Sequence, residues 1–337
     1  MKTPCIFVKR KAYSEKRFAR VYSGLPPKPS RRNNAKHRAS HSAHHALRFT
    51  FFIVVSLFVT VPILSQEESS PTINLAYTTN LNCALDDCHC SGNPVGGMTR
   101  VLSCIENLRS KNPDLLLVDS GDFLMSYTLP EANLVMLQLM ALARYSAINL
   151  GDQAFVESPG FIFDIDKKLT LKLPLLSANL TVENSASTPY KVLNINGIMI
   201  LIIGMVDQSA FSFISPNGLS INSPEPVLAA LPSELKQNSG LQILLFHGEW
   251  KAAQEIVKKL SWIDVVILGH NHKKQFKIES DIAFAECGSE GEYIGHLRIQ
   301  KSGDRWRFKN EFIAINDDIL FNPEAQKLVN EYYQSLE

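Results

Sequence analysis

The chain has 337 residues, 45% of them apolar and 20% charged, with a formal net charge of +1. Those proportions exclude a disordered or collagen-like chain and allow a sizeable core in one large domain or two small ones. The near-neutral total hides an asymmetry. Residues 1–48 hold thirteen of the 34 Lys and Arg and only Glu15 of the acidic residues, so the remainder is net acidic.

The basic head, with His37, His41, His44 and His45, has too little apolar content to build a core and is expected to be disordered and cytoplasmic. It runs into Phe49–Leu64, sixteen residues without a charge, followed by Ser65-Gln66-Glu67-Glu68. This order predicts a positive cytoplasmic flank, a hydrophobic segment and an exported remainder. Sixteen helical residues span roughly 24 Å, short for a ~30 Å hydrocarbon core and generous for a signal sequence. Two outcomes stay open over 49–65: cleavage near Ser65, leaving the rest in the periplasm or cell envelope, or an uncleaved transmembrane anchor that makes the membrane a partner. No nucleic-acid partner is expected.

From 71 to 337 the pattern predicts one α/β domain. Ile73–Tyr77 reads as a strand, and Met98–Leu108 as a helix with Met98, Val101, Leu102, Ile105 and Leu108 on one face. Leu115–Val118 is continuously apolar, as a strand buried on both faces is. Leu134–Ala143 follows as a helix and Ala147–Leu150 as a short strand. Asn196-Gly197 between Val192–Asn194 and Ile198–Val206 is a hairpin signal. Gln242–Phe246, Gly248–Leu260 and Val265–Leu268 form a strand, helix and strand. Ile282–Glu286, Gly295–Gln300 and Trp306–Ile315 then stand at hairpin spacing, before a closing helix over Pro323–Leu336. The whole predicts two packed mixed sheets with helices outside.

Polar residues follow the strands directly: Asn80 and Asn82, Asp119-Ser120-Gly121-Asp122, Gly151-Asp152, His247-Gly248, and Gly269-His270-Asn271-His272. Loops at the carboxyl ends of a sheet gather into one crevice. Carboxylates and imidazoles are ligands for divalent metals, and glycines beside them let the backbone come close. Five such loops in order predict a metal site.

These residues resemble the calcineurin-like metallophosphoesterase superfamily, in particular the catalytic domain of 5′-nucleotidases. The likeness runs over roughly Ile73–Gln300. Its marks are Gly96-Gly97-Met98-Thr99-Arg100, Leu115 to Asp122, Ser177-Ala178-Asn179-Leu180, Phe246-His247-Gly248, Gly269-His270-Asn271-His272 and Cys287 to Gly295. The resemblance implies a four-layer α/β/β/α sandwich and two metal ions sharing Asp122. It implies Asp122, Asp152, His247 and His270 around the second ion, and Asn80, Asn82, Asp122 and His272 around the first. Arg100 and Asn179 become neighbours of the phosphate. Two motifs depart from the family. Asn80-Leu81-Asn82 replaces Asp-x-His, and Gly151-Asp152-Gln153-Ala154 replaces Gly-Asn-His-Glu, so that Gln153 offers a hydrogen bond in place of a proton-delivering imidazole. One firm metal and one weak or missing metal are expected, with Mn, Zn and Fe not distinguished.

The function implied is metal-dependent hydrolysis of a small phosphorylated substrate, a phosphomonoester or nucleotide, at low activity. The family's separate C-terminal base-binding domain is not expected after Glu337, so nucleotide specificity does not carry over. Cys83 with Cys88-His89-Cys90 adds a further feature. It is open to a disulfide from Cys83 to Cys88 or Cys90, to thiolate ligation of a softer metal, or to a redox-active thiol. Similar cysteine-bearing loops occur in exported relatives linked to periplasmic electron transfer. The rival reading is therefore a non-catalytic or redox-linked envelope protein with a periplasmic redox partner.

Overall fold

The computed structural model describes residues 71–90, 95–183, 187–212 and 218–337. The basic head and the apolar segment 49–64 lie outside the described residues. In chain order the elements begin with β1 (Thr72–Thr78), α1 (Met98–Lys111), β2 (Leu116–Asp119), α2 (Pro130–Ala143), β3 (Ala147–Asn149), α3 (Phe161–Leu169) and β4 (Leu175–Leu176). The middle of the chain adds β5 (Leu180–Val182), β6 (Tyr190–Ile195), β7 (Ile198–Val206), β8 (Leu219–Ile221), α4 (Pro224–Ala229), α5 (Ser233–Gln237) and β9 (Leu241–His247). It closes with α6 (Trp250–Lys259), β10 (Val265–Gly269), β11 (Lys274–Glu279), β12 (Ile282–Cys287), β13 (Tyr293–Ser302), β14 (Arg305–Ala314) and α7 (Pro323–Ser335).

Two mixed six-stranded sheets result, ordered β14-β13-β1-β2-β3-β4 and β11-β12-β10-β9-β7-β6, with a small β5-β8 pair beside them. Their inner faces meet through Ile73, Leu75, Val118, Ile202, Ile243 and Ile267, all buried. Outside the first sheet, α1, α2 and α7 cover Leu117 and Ile148 with Ile105, Met136 and Val329, and outside the second, α6 covers Leu244 and Val266. These four layers explain the continuous apolar runs. Each residue of β9 is buried, because alternate side chains face either the other sheet or a helix. At the edge the pattern returns to period two: along β14, Arg305, Arg307, Lys309 and Glu311 are exposed, while Trp306, Phe308 and Phe312 pack inward. Charges along an open edge discourage pairing with another chain.

The Asn196-Gly197 hairpin forms as its composition demands, with φ of 53° and 79°. The last third differs from the sequence expectation. Of the three expected strands only the last two, β13 and β14, form a hairpin with each other, in the first sheet, whereas β12 runs parallel to β10 in the second and makes its hairpin with β11. The turn at Ser280-Asp281 joins β11 to β12, and the polar composition of Lys274–Glu279 hid that strand.

The expected transmembrane segment, and with it the membrane as a partner, is corrected. No helix among the described residues is long and apolar enough to cross a membrane. The longest of them, α1 and α2, have 14 residues each, about 21 Å against a ~30 Å hydrocarbon core.

Candidate metal centre

The carboxyl ends of strands from both sheets converge. Asp122 follows β2 and Asp152 follows β3 in one sheet; His247 ends β9 and His270 follows β10 in the other. Their ligand atoms all lie within 4.8 Å of one another. His247 Nε2 stands 3.2 Å from Asp122 Oδ1 and 3.0 Å from Asp152 Oδ1, and His270 Nδ1 is 3.8 Å from Asp152 Oδ1. The far side of the His247 ring fixes its aim, with Nδ1 3.1 Å from the Ser120 carbonyl oxygen. Neutral imidazole then donates from Nδ1 and leaves Nε2 free for an ion.

Two glycines make this approach sterically open. A Cβ on Gly121 (φ 99°) would meet His247 Nδ1 at 2.7 Å, and one on Gly151 would meet Asp122 Oδ1 at 2.5 Å. The ligand loops themselves carry strain: Asp122 and His270 have φ of 58° and 94°, where side-chain-bearing residues are rare. Such strain concentrates at functional sites.

Electrostatics fit a cation. Burial opposes charge on His247, yet Asp122 and Asp152 outweigh it and push the imidazole up to about 10. Burial likewise opposes charge on Asp122, but the neighbouring His247 holds it below the usual carboxylate range. Two carboxylates and two imidazoles, held at contact distance in a buried pocket, form a donor set that suits a divalent ion, and its loading displaces a proton.

The residues of the first position are arranged differently. Asn80, fully buried, accepts the His270 backbone N–H through Oδ1 at 2.6 Å. Its Nδ2 donates to Glu286 Oε1 at 3.3 Å and to the Gly288 carbonyl at 3.0 Å. Asn82 Oδ1 accepts from Gln153 Nε2 at 3.2 Å, and the Gln153 backbone N–H bonds Asp122 Oδ1 at 3.2 Å. His272 lies near Asp122, His270 and His247, and desolvation lowers its pKa. Glu286, buried and with its pKa raised by that burial, belongs to this network. Sequence reasoning missed it because it sits inside the apolar strand β12, where one charged residue was the available signal.

The chain and its fold resemble known proteins. The chain is 26% identical over 239 residues to the 5′-nucleotidase of Rattus norvegicus, which covers 61% of this chain and 41% of that protein. Its fold superposes on the 5′-nucleotidase precursor of Thermus thermophilus with a TM-score of 0.69 at 19% identity, over 79% of this chain and 59% of that one. It also superposes on the calcineurin-like phosphoesterase YfkN of Bacillus subtilis with a TM-score of 0.64 at 18% identity, over 79% and 98%. The chain has the calcineurin-like metallophosphoesterase fold, of the 5′-nucleotidase type. No family model matches it. The chain spans about half the length of the curated 5′-nucleotidases it matches.

Within the metallophosphoesterase fold, the two expected phosphate neighbours have other partners. Arg100 is buried at the start of α1, where its guanidinium bonds Asp87 Oδ2 at 3.1 Å and the carbonyls of Asn316 and Ile319, and lies 4.1 Å over the Phe321 ring. It ties the segment before α7 to α1. Asn179 donates to the carbonyls of Val206 and Asn222 and accepts from the Val206 N–H. Both polar ends of Asn179 thus hold backbone.

Of the alternatives left open for the cysteines, a disulfide forms, but not at Cys83. Cys88 and Cys90 form the disulfide with each other, while Cys83 is free and buried, its thiol pushed by that burial up to about 12. Cys83 faces inward because its N–H bonds the Phe123 carbonyl, fixing the loop before the pair begins. Cys104 and Cys287 are also free and buried. Around the pair, His89 Nδ1 is 2.7 Å from Asp87 Oδ1, and Asp87 is held in turn by Arg100.

Proposed function

We propose that this protein hydrolyses a small phosphoester with a divalent ion held by Asp122, Asp152, His247 and His270. The observation that carries the reading is the convergence of those four ligand atoms within 4.8 Å at the carboxyl ends of both sheets. An ion bound there would supply Lewis-acid polarisation of a phosphoryl oxygen. The chain's own residues provide the rest. Asp122 and Asp152 balance the ion's charge, Ser120 orients His247, and the backbone N–H of Gln153 orients Asp122. The Gln153 amide can donate a hydrogen bond to an oxygen but cannot deliver a proton to a leaving group, so turnover should fall about 10²–10⁴-fold below that of an imidazole-assisted site.

Purified protein loaded with Mn²⁺ or Zn²⁺ is expected to hydrolyse p-nitrophenyl phosphate slowly, and Asp152→Asn to remove that activity. The naming of the curated relatives makes nucleoside 5′-monophosphates the next substrates to test. Loss of neither metal nor activity in Asp152→Asn would reject the site. A second reading, a metal-binding protein without catalysis, is favoured by the engagement of Arg100 with Asp87 and of Asn179 with backbone. Metal-loaded protein that turns over no phosphoester would select it. The basic head and the apolar segment 49–64 behind it support export of the chain beyond Ser65. Reporter fusions after residue 100 that are active only in the cytoplasm would rule that out.

A further inference from the structure

We infer that the centre takes a single divalent ion, and that Asn80 is a positioning residue for the ligand His270 where relatives of this fold are expected to carry a ligand to a second ion. This rests on the reading above only for the four ligands of the retained ion. The hydrogen bonds of Asn80 engage both polar atoms of its amide. Its amide has one acceptor and two donors, and all three find partners of the matching kind: the acceptor takes the His270 N–H, and the donors reach the Glu286 carboxylate and the Gly288 carbonyl. An aspartate in the same place would turn an oxygen toward each of the last two. Asparagine is therefore the side chain this pocket demands, rather than a weakened ligand.

Asn82 is likewise engaged, through its carbonyl oxygen, by Gln153. The two departures from the family pattern thus bond to each other, with Gln153 Oε1 left buried and without a hydrogen-bond partner. The bond from Asn80 to the His270 peptide acts at a ligand whose backbone is strained further than that of Asp122, with φ of 94° against 58°. Holding that peptide N–H in place aims the imidazole toward Asp152, 3.8 Å away. Glu286 in turn holds the Asn80 amide and is held by Gln275 Nε2 at 3.3 Å.

The test uses Mn²⁺ as the probe. Wild-type protein, saturated and freed of excess metal, is expected to retain one Mn²⁺ per chain with the six-line paramagnetic resonance spectrum of an isolated ion. Two ions per chain, or an exchange-coupled spectrum, would overturn the inference. Asn82→Ala, at a partly exposed position, is expected to leave the count at one and the affinity within about twofold, and a fall in ion count would count against it. Asn80→Ala is expected to weaken Mn²⁺ binding about 10–100-fold, the range for partners that orient a metal ligand; unchanged affinity would remove the positioning role. Should that variant not fold, hydrogen exchange of the His270 amide in the wild type carries the same question. Protection comparable to that of the strand amides is expected, and exchange at the rate of an open loop refutes it. None of these readouts depends on turnover, so a protein that binds one ion and hydrolyses nothing would defeat the proposed function and leave this inference standing.

Discussion

The two halves of the crevice hold similar numbers of polar side chains and do different things with them. At the retained half, Asp122, Asp152, His247 and His270 crowd together, with carboxylate oxygens and imidazole nitrogens about 3–4 Å apart. At the other half, Asn80 donates to Glu286 and Gln153 donates to Asn82, and of these side chains Gln153 keeps a buried oxygen, Oε1, without a hydrogen-bond partner. The difference teaches that a metal site is recognised by frustration. Two carboxylates crowded against two imidazoles call for a cation, whereas an amide whose donors and acceptor are already engaged does not.

Removing the carboxylate at the retained half should break the contrast most completely. Asp122→Asn is expected to lower Mn²⁺ affinity by more than about 100-fold, beyond the range for partners that merely orient a ligand, as read by calorimetric titration. Placing an imidazole at the other half sharpens it. Gln153→His is expected to raise turnover of an ester with a poor leaving group by about 100-fold, the low end of general-acid assistance, while the ion count stays at one.

Asp119 lies behind both halves at the end of β2. It is fully buried, its oxygens accept from the Thr78 hydroxyl at 2.6 Å and the Gly121 N–H at 2.9 Å, and burial raises its pKa from 3.8 to about 7. A carboxyl raised on folding contributes stability that is full below pH 3.8 and is lost as pH rises to about 7. This residue should therefore lower stability by up to about 1.4 kcal/mol per pH unit across that window. Asp119→Asn should flatten that portion of the pH dependence of the thermal midpoint, and an unchanged slope would clear Asp119 of the effect. The smallest change concerns the Cys88–Cys90 pair, which closes a loop of three residues. Replacing both by Ser should cost no more than about 2 kcal/mol in chemical denaturation, because loop-closure entropy grows only with the logarithm of loop length.

Much of the frame was legible in the chain, because buried strands such as β9 and β10 announce themselves by unbroken apolar runs, and the residues just after them supply the ligands. The features that escaped are set by partners distant in sequence. Nothing local to Lys274–Glu279 says that it pairs with β12, and nothing near Asn80 says that a carboxylate 206 residues away will accept a hydrogen bond from its amide. Arg100 and Asn179 illustrate the same limit, since a polar residue in a motif looks alike whether it faces a ligand or ties down backbone. The disulfide meets a related limit, as spacing alone leaves Cys83 and Cys90 equally available to Cys88.

The four retained ligands come in pairs from opposite layers, Asp122 and Asp152 from one sheet and His247 and His270 from the other. An ion held by all four would act as a rivet through the sandwich. Layers that otherwise adhere by apolar contact and a few hydrogen bonds, such as those from Ser120 Oγ to the Ile267 carbonyl and from Asn149 Nδ2 to the Met205 carbonyl, would then be joined at one rim by bonds to a shared ion, so that prying the sheets apart and losing the ion become one mechanical event. Pulled in an optical trap across the two sheets, the loaded protein should yield in a single step at higher force, and the chelated protein should open first at the rim that carries the crevice.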